Sequence, residues 1–248
     1  MSAQDHFKAA SKCACLGTWI FYLVFVSSVV LLLFPGPTVE SCLHPLLVAL
    51  AIITIVCTVF TTIYQTEGNR ILRASQLSDA FGVGIGEQMR DGYYNNNLPK
   101  TTRRLAATTL ENTLFATEIL HVMLTKERIK NCMYFILLIA LFVCRWPSTS
   151  WLLMLAQTVF STDLILEWIR LERFRIRTSR VHAHLEQFFL QSGNAEQPSD
   201  TAIVLAAFTD YECGKDEAVI SLDQKVFDRL NPVLSKKWEG IKERLNIR

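Results

Sequence analysis

The sequence predicts an all-α membrane protein of four transmembrane helices, arranged as two hairpins that carry helical extensions on the cytoplasmic side. Three observations lead there. Half of the 248 residues are hydrophobic, and they stand in blocks rather than in amphipathic patterns. The blocks pair across short, proline-containing turns at 35–44 and 147–150. The last block runs on from Trp151, with no glycine or proline to stop it, into Arg170-Leu-Glu-Arg-Phe-Arg-Ile-Arg-Thr-Ser-Arg180. A single continuous helix from Trp151 to His184 is the simplest expectation.

Residues 1–16 read as a short cytoplasmic N-terminus with Lys8 and Lys12. Gly17 to Phe34 carries no charge over about eighteen residues, a length able to span a bilayer. A cleaved signal peptide is the competing reading, but no small-x-small site precedes Pro35 and a second apolar block follows at once. Pro35 to His44 is read as an outer turn and Pro45 to Tyr64 as the second span, so the first hairpin covers 17–65. Thr54, Thr58, Thr61 and Gln65 share one face of that span. Their hydroxyls either line a pore or bond back to the preceding helical turn. Lys8 and Lys12 before the hairpin, with Arg70 and Arg73 after it, put both of its ends in the cytoplasm.

Residues 66–130 hold nine Lys or Arg and seven Asp or Glu, and are too long for a plain loop. Glu67 to Ala80 is expected to continue the second span as helix. Gly82-Val-Gly-Ile-Gly86 and the stretch from Asp91 to Pro99 then interrupt it. The alternating glycines match neither a Walker loop nor the dinucleotide fingerprint, and no strand precedes them. Thr101 or Thr102 caps a further helix toward Lys130. The second hairpin covers 131–168. Its first apolar run, Asn131 to Cys144, is only about fourteen residues, adequate if the preceding helix enters the membrane already formed. Arg145 between this run and the next is read as an interfacial anchor with Trp146 and Trp151. A basic helical extension covers 169–191. Beyond a linker at 192–199, the C-terminal region 192–248 reads as two or three short helices, at 202–211, about 222–230 and 232–248. In the last, Leu234, Trp238, Ile241 and Leu245 share a face.

Seven cysteines without metal-ligand spacing read as reduced or buried thiols, with acylation of Cys13 and Cys15 the less favoured alternative. No H-E-x-x-H, zinc-spaced Cys/His set or G-x-S-x-G occurs, so neither an enzyme nor a resident cofactor or metal is expected. The net charge is only +2, so the placement of charges matters more than their sum.

That placement is ordered along the expected long helix. Asp163, Glu167, Arg170, Arg173, Arg177, Arg180 and His184 are separated by threes and fours and so form one stripe, about 32 Å long. Asp163 and Glu167 stand near membrane depth, where ionisable groups face a bundle interior or water. In an oligomer around an axis they would form cation-favouring rings, whereas pairing of Glu167 with Arg170 or Arg173 is the structural alternative. Arg170, Arg173, Arg177 and Arg180, reinforced by Arg103 and Arg104, present planar forks suited to phosphate. A nucleotide or short oligonucleotide can be held there, and so can an anionic lipid headgroup of the bilayer. A non-conducting membrane scaffold or sensor is the competing function.

The layout resembles the four-transmembrane pore-forming effectors found beside nucleotidyltransferases in bacterial antiphage operons. Three stretches carry the likeness: Gln76-Leu-Ser-Asp-Ala-Phe-Gly82, Leu105-Ala-Ala-Thr-Thr-Leu-Glu-Asn112 and Leu230-Asn-Pro-Val-Leu-Ser-Lys-Lys-Trp238. A homo-oligomer, with a tetramer favoured, and both termini in the cytoplasm are expected, and the resemblance implies an effector that acts on the bacterial inner membrane. It also implies gating by the product of a partner nucleotidyltransferase: a cyclic oligonucleotide that activates, or a linear one whose loss activates, as in the Hailong-type system.

Overall fold

The computed structural model describes residues 2–34, 36–85, 98–144, 162–191, 197–220 and 222–247. Nearly all of them lie in helices, and no strand occurs among the described residues. The helices are α1 Ala3–Leu33, α2 Pro37–Phe81, α3 Thr102–Cys144, α4 Thr162–Gln191, α5 Pro198–Ala218 and α6 Gln224–Arg244. The all-α expectation holds. The chain divides into two compact units, one of residues 1–68 with 129–166, the other of 69–128 with 167–248. The sequence places the corresponding boundaries at 65/66, 130/131 and 168/169.

In the first unit the apolar side chains point outward. Two helices, α1 and α2, are long and apolar enough to cross a membrane, and only 6% of the most apolar stretch of each is buried. Trp19, Val48, Ile55 and Ile63 are all more than half exposed, as are Met133, Ile136, Ile139 and Val143 at the end of α3. Leaving such surface in water is unfavourable by about 25 cal/mol per Å². A contiguous apolar surface of this kind fits a lipid environment. The expected fourth span at 151–168 lies outside the described residues up to 161, as do Arg145, Trp146 and the turn at 147–150.

Two boundaries differ from expectation. The N-terminus is not a separate polar segment: Ser2 and Asp5 form a reciprocal capping box, and α1 runs from Ala3 directly into the apolar run. Ala3 and Ala10 are buried there, and the His6 ring lies 6.0 Å from that of Tyr64. Nor is 35–44 an extended turn, because α2 starts at Pro37 and carries Pro45 inside it. A proline fits the first helical position, where its missing N–H costs nothing. The threonine face resolves toward local bonding. Thr54, Thr58 and Thr61 donate to the carbonyls of Leu50, Thr54 and Cys57 at 2.9, 3.0 and 2.8 Å.

The second unit has a core of its own. Gly82, at φ +67°, ends α2 in the left-handed conformation that glycine adopts without strain, and its N–H reaches the Ser78 carbonyl at 2.8 Å. The glycine run thus begins as a helix cap. Residues 69–81 of α2 lock onto the start of α3 through polar pairs. Gln76 Nε2 donates to Thr109 Oγ1 at 3.2 Å, Asn112 Nδ2 donates to Gln76 Oε1 at 3.3 Å, and Arg104 forks onto Asp79 at 2.8 and 3.0 Å. The stretches Gln76–Gly82 and Leu105–Asn112 are therefore the two sides of this one contact. Leu105, Leu110, Leu114, Leu120 and Leu124 of α3 pack in the same core as Leu171, Phe174, Val181 and Leu185 of α4.

Among the described residues the C-terminal helices are two in number, within expectation, but longer than expected. One helix covers 198–218 and another 224–244, with Pro232 inside the latter rather than opening a third. Pro232 removes one helical hydrogen bond, but the anchors beyond it hold α6 in place. Leu234, Trp238, Ile241 and Leu245 are all buried as the shared face requires, and Trp238 is fully enclosed.

A candidate anion-binding cleft

α4 is two-faced. Leu171, Phe174, Thr178, Val181 and Leu185 are buried, while Glu167, Arg170, Arg173, Arg180 and His184 are exposed and Arg177 is half-buried. The threes-and-fours stripe is thus one face of a continuous helix, from Glu167 onward. The side chain of Asp163 lies outside the described residues.

α5 packs beside this face because residue 214 is glycine. A Cβ there would stand 2.6 Å from Arg177 Cδ and 3.3 Å from Phe174 Cδ2, closer than packed carbons approach. Tyr211 stacks on Phe174 one turn earlier, with ring centroids 6.0 Å apart. The two helices enclose an open cleft of about 260 Å³, lined by Arg170, Arg173, Phe174, Arg177, Arg180 and Glu217 among others. All four arginines of the stripe meet there.

Their present partners divide them. Arg177 bridges Asp210 and Glu217 at 3.0 Å each, and Arg173 stands 3.6 Å from Glu217. The bond to Glu217, more than the charge of Asp210, holds the Arg177 guanidinium above its ordinary pKa, so it is cationic at any physiological pH. Arg170 and Arg180 are exposed and make no ion pair among the described residues. They lie ten residues apart, about 15 Å along the axis, at the two ends of the cleft.

Arg103 and Arg104 stand apart from this group. Neither lines the cleft. Arg104 is held by Asp79 and by the Leu98 carbonyl at 2.9 Å, and Arg103 lies over the Phe189 ring at 5.1 Å. Glu167 is exposed on α4 and has interactions of its own. His182 is mostly buried, 3.1 Å from Thr113 Oγ1, and burial pushes its pKa down.

The opposite side of α5 carries a second ionic cluster. Glu212, almost fully buried, accepts from Arg73 Nε at 3.3 Å and from Lys215 Nζ at 2.8 Å. Asp216 pairs with Arg73 and accepts from Asn69 Nδ2 at 3.0 Å. Asn69 and Arg73 belong to α2. Sequence reasoning missed Gly214 and Glu217 because it ended this helix at Tyr211, and it gave Asp210, inside that helix, no role. The available signal was the seven-residue spacing of Asp210 and Glu217, which places both on one helical face.

Chemically the cleft offers guanidinium forks, an aromatic floor and no nucleophile–base pair. Among the described residues no group of three or more His, Cys, Asp or Glu is placed to hold a metal ion. No protein-family model, curated protein or solved structure matches the chain.

Proposed function

We propose that this chain is an oligomeric, ligand-gated pore-forming effector of the bacterial inner membrane, acting in antiphage defence and depolarising the membrane when open. Its ligand is a nucleotide or short oligonucleotide made by a partner nucleotidyltransferase and held by the arginine cleft. In this reading the membrane region is two hairpins, with 131–144 and 151–168 as third and fourth spans, and both termini are cytoplasmic. One observation carries it. A helical unit with a four-arginine cleft is continuous, along α2, with exposed apolar lengths suited to a lipid environment. Guanidinium groups in a fork geometry favour phosphate over other anions. The likeness to nucleotidyltransferase-linked effectors supplies the defence context and the gating ligand.

The test is ion flux from vesicles containing the purified chain, with and without a polyphosphate anion. Flux that changes with the anion supports the reading. Vesicles that stay tight in both conditions, with the anion still bound, would make the chain a non-conducting scaffold or sensor. Within the pore reading Glu167→Gln is expected to alter ion selectivity or gating, and identical currents would leave Glu167 a structural partner.

A further inference from the structure

The arginine cleft is already occupied by the protein's own carboxylates. Asp210 and Glu217 stand on one face of α5 and engage the two central arginines, Arg173 and Arg177. Glu212 and Asp216 stand on another face and engage Arg73 and Asn69 of α2. The same helix therefore closes the cleft on one side and grips α2 on the other. We propose that Asp210 and Glu217 are an internal acidic latch, which a multiply charged phosphate ligand must displace from Arg173 and Arg177 in order to bind.

The charges favour an exchange over simple addition. The two central arginines are balanced by two carboxylates, so a lone monophosphate gains little by replacing one anion with another. Arg170 and Arg180 have no such partner among the described residues and form the points of entry. A ligand with several phosphates can settle on these ends first and then compete for the centre at high local concentration. The latch is also weak enough to open. Glu217 is about half exposed, so solvent screens both its 3.0 Å contact with Arg177 and its 3.6 Å contact with Arg173.

The end of α5 carries backbone strain. Its C-cap is Val219 at φ 48° and ψ 40°, a left-handed conformation that is a steric outlier for a β-branched residue. Glycine normally stands at such a cap. The strain sits two residues beyond Glu217, so freeing the last turn of α5 relieves it as the carboxylate leaves. Displacement of Glu217 then bears on its neighbour Asp216 and on Glu212, somewhat more than one turn back on the same helix, and through them on Arg73.

This inference rests on the arginine cleft being the ligand site, and the experiment separates the two claims. Binding of inorganic tripolyphosphate to the detergent-solubilised full chain is measured at fixed ionic strength. The variants are Glu217→Gln, Asp210→Asn with Glu217→Gln, Arg173→Glu with Arg177→Glu, and Glu243→Gln as a control on exposed α6 surface. The latch predicts that Glu217→Gln tightens binding about two- to fivefold, the factor expected for removing a part-exposed ion-pair partner. The double neutral variant binds more tightly still, and Glu243→Gln binds as the native chain does. Native affinity in both neutral variants, with binding abolished by the glutamate pair, overturns the latch and leaves the cleft standing. Unchanged binding in the glutamate pair overturns the cleft itself. Repeating the titration in nanodiscs of neutral lipid and of phosphatidylglycerol separates the phosphate sources. A free ligand keeps its affinity in both, whereas loss of tripolyphosphate binding in the anionic discs assigns the cleft to lipid headgroups.

Discussion

Arg104 and Arg177 look alike in the sequence and differ in the fold. Arg104 forks onto Asp79 with both side chains largely buried, so its charge serves the contact between α2 and α3. Replacing it with alanine strands Asp79 in that contact. A loss of about 3 kcal/mol in unfolding free energy is expected, the usual result of breaking a buried pair. A change under about 1 kcal/mol in a denaturant titration would show that the pair is effectively solvated. His182 makes a second test at this scale. Burial lowers its pKa, and around it stand Thr113 of α3, Glu186 of its own helix, and Lys237 and Arg244 of α6. The folded chain thus holds the imidazole neutral at a pH where the unfolded chain protonates it. The stability from His182 is fully present above its unfolded pKa of about 6.5 and is lost as pH falls from there through the lower folded value. His182→Asn is expected to flatten the midpoint-versus-pH curve over that window, and an unaltered slope would assign the dependence elsewhere.

At the scale of elements α5 is the informative piece, because its two ionic faces meet two different helices. Glu212 is the buried member of the α2 contact, held by Arg73 and Lys215. Glu212→Gln keeps the shape and removes the charge that both cations face. Faster amide hydrogen exchange is expected in residues 69–81 and 205–218, with exchange in 105–120 of α3 little changed. Uniform acceleration across the unit would mean global destabilisation and no specific contact. This helix also shows where sequence reading stops. Periodicity disclosed the arginine face of α4 and the buried face of α6 down to Trp238, because burying one side of a helix imposes a 3.6-residue pattern. It could not disclose that Gly214 lies inside a helix. An interior glycine looks like a break until the neighbour that needs the space, here Arg177, is known. Pro232 misled in the same way, since the buried Leu234, Trp238 and Ile241 hold α6 through a residue that local propensity reads as an end, and Pro45 likewise stands inside α2.

For the whole molecule, the apolar blocks were enough to predict helices of membrane length, because an uncharged run of about twenty residues matches the hydrocarbon thickness of a bilayer, and two such helices stand among the described residues. The partners of individual arginines were not legible. Arg103, Arg104, Arg173 and Arg177 differ only in which neighbours the fold brings to them, and those neighbours lie about 25 to 85 residues away in the sequence for Asp79 and Phe189 and some 33 to 44 residues away for Asp210 and Glu217. The central claim is that an anion at the α4 arginines controls ion passage through the membrane part of the same chain. It is tested most directly by the dose-response of ion flux to tripolyphosphate, in vesicles holding either the native chain or Arg173→Glu with Arg177→Glu at equal density. Native vesicles are predicted to change their flux over the range in which the anion binds, and the variant to stay at one level throughout. Matching dose-responses, or flux in neither preparation while the native chain still binds the anion, would contradict the account.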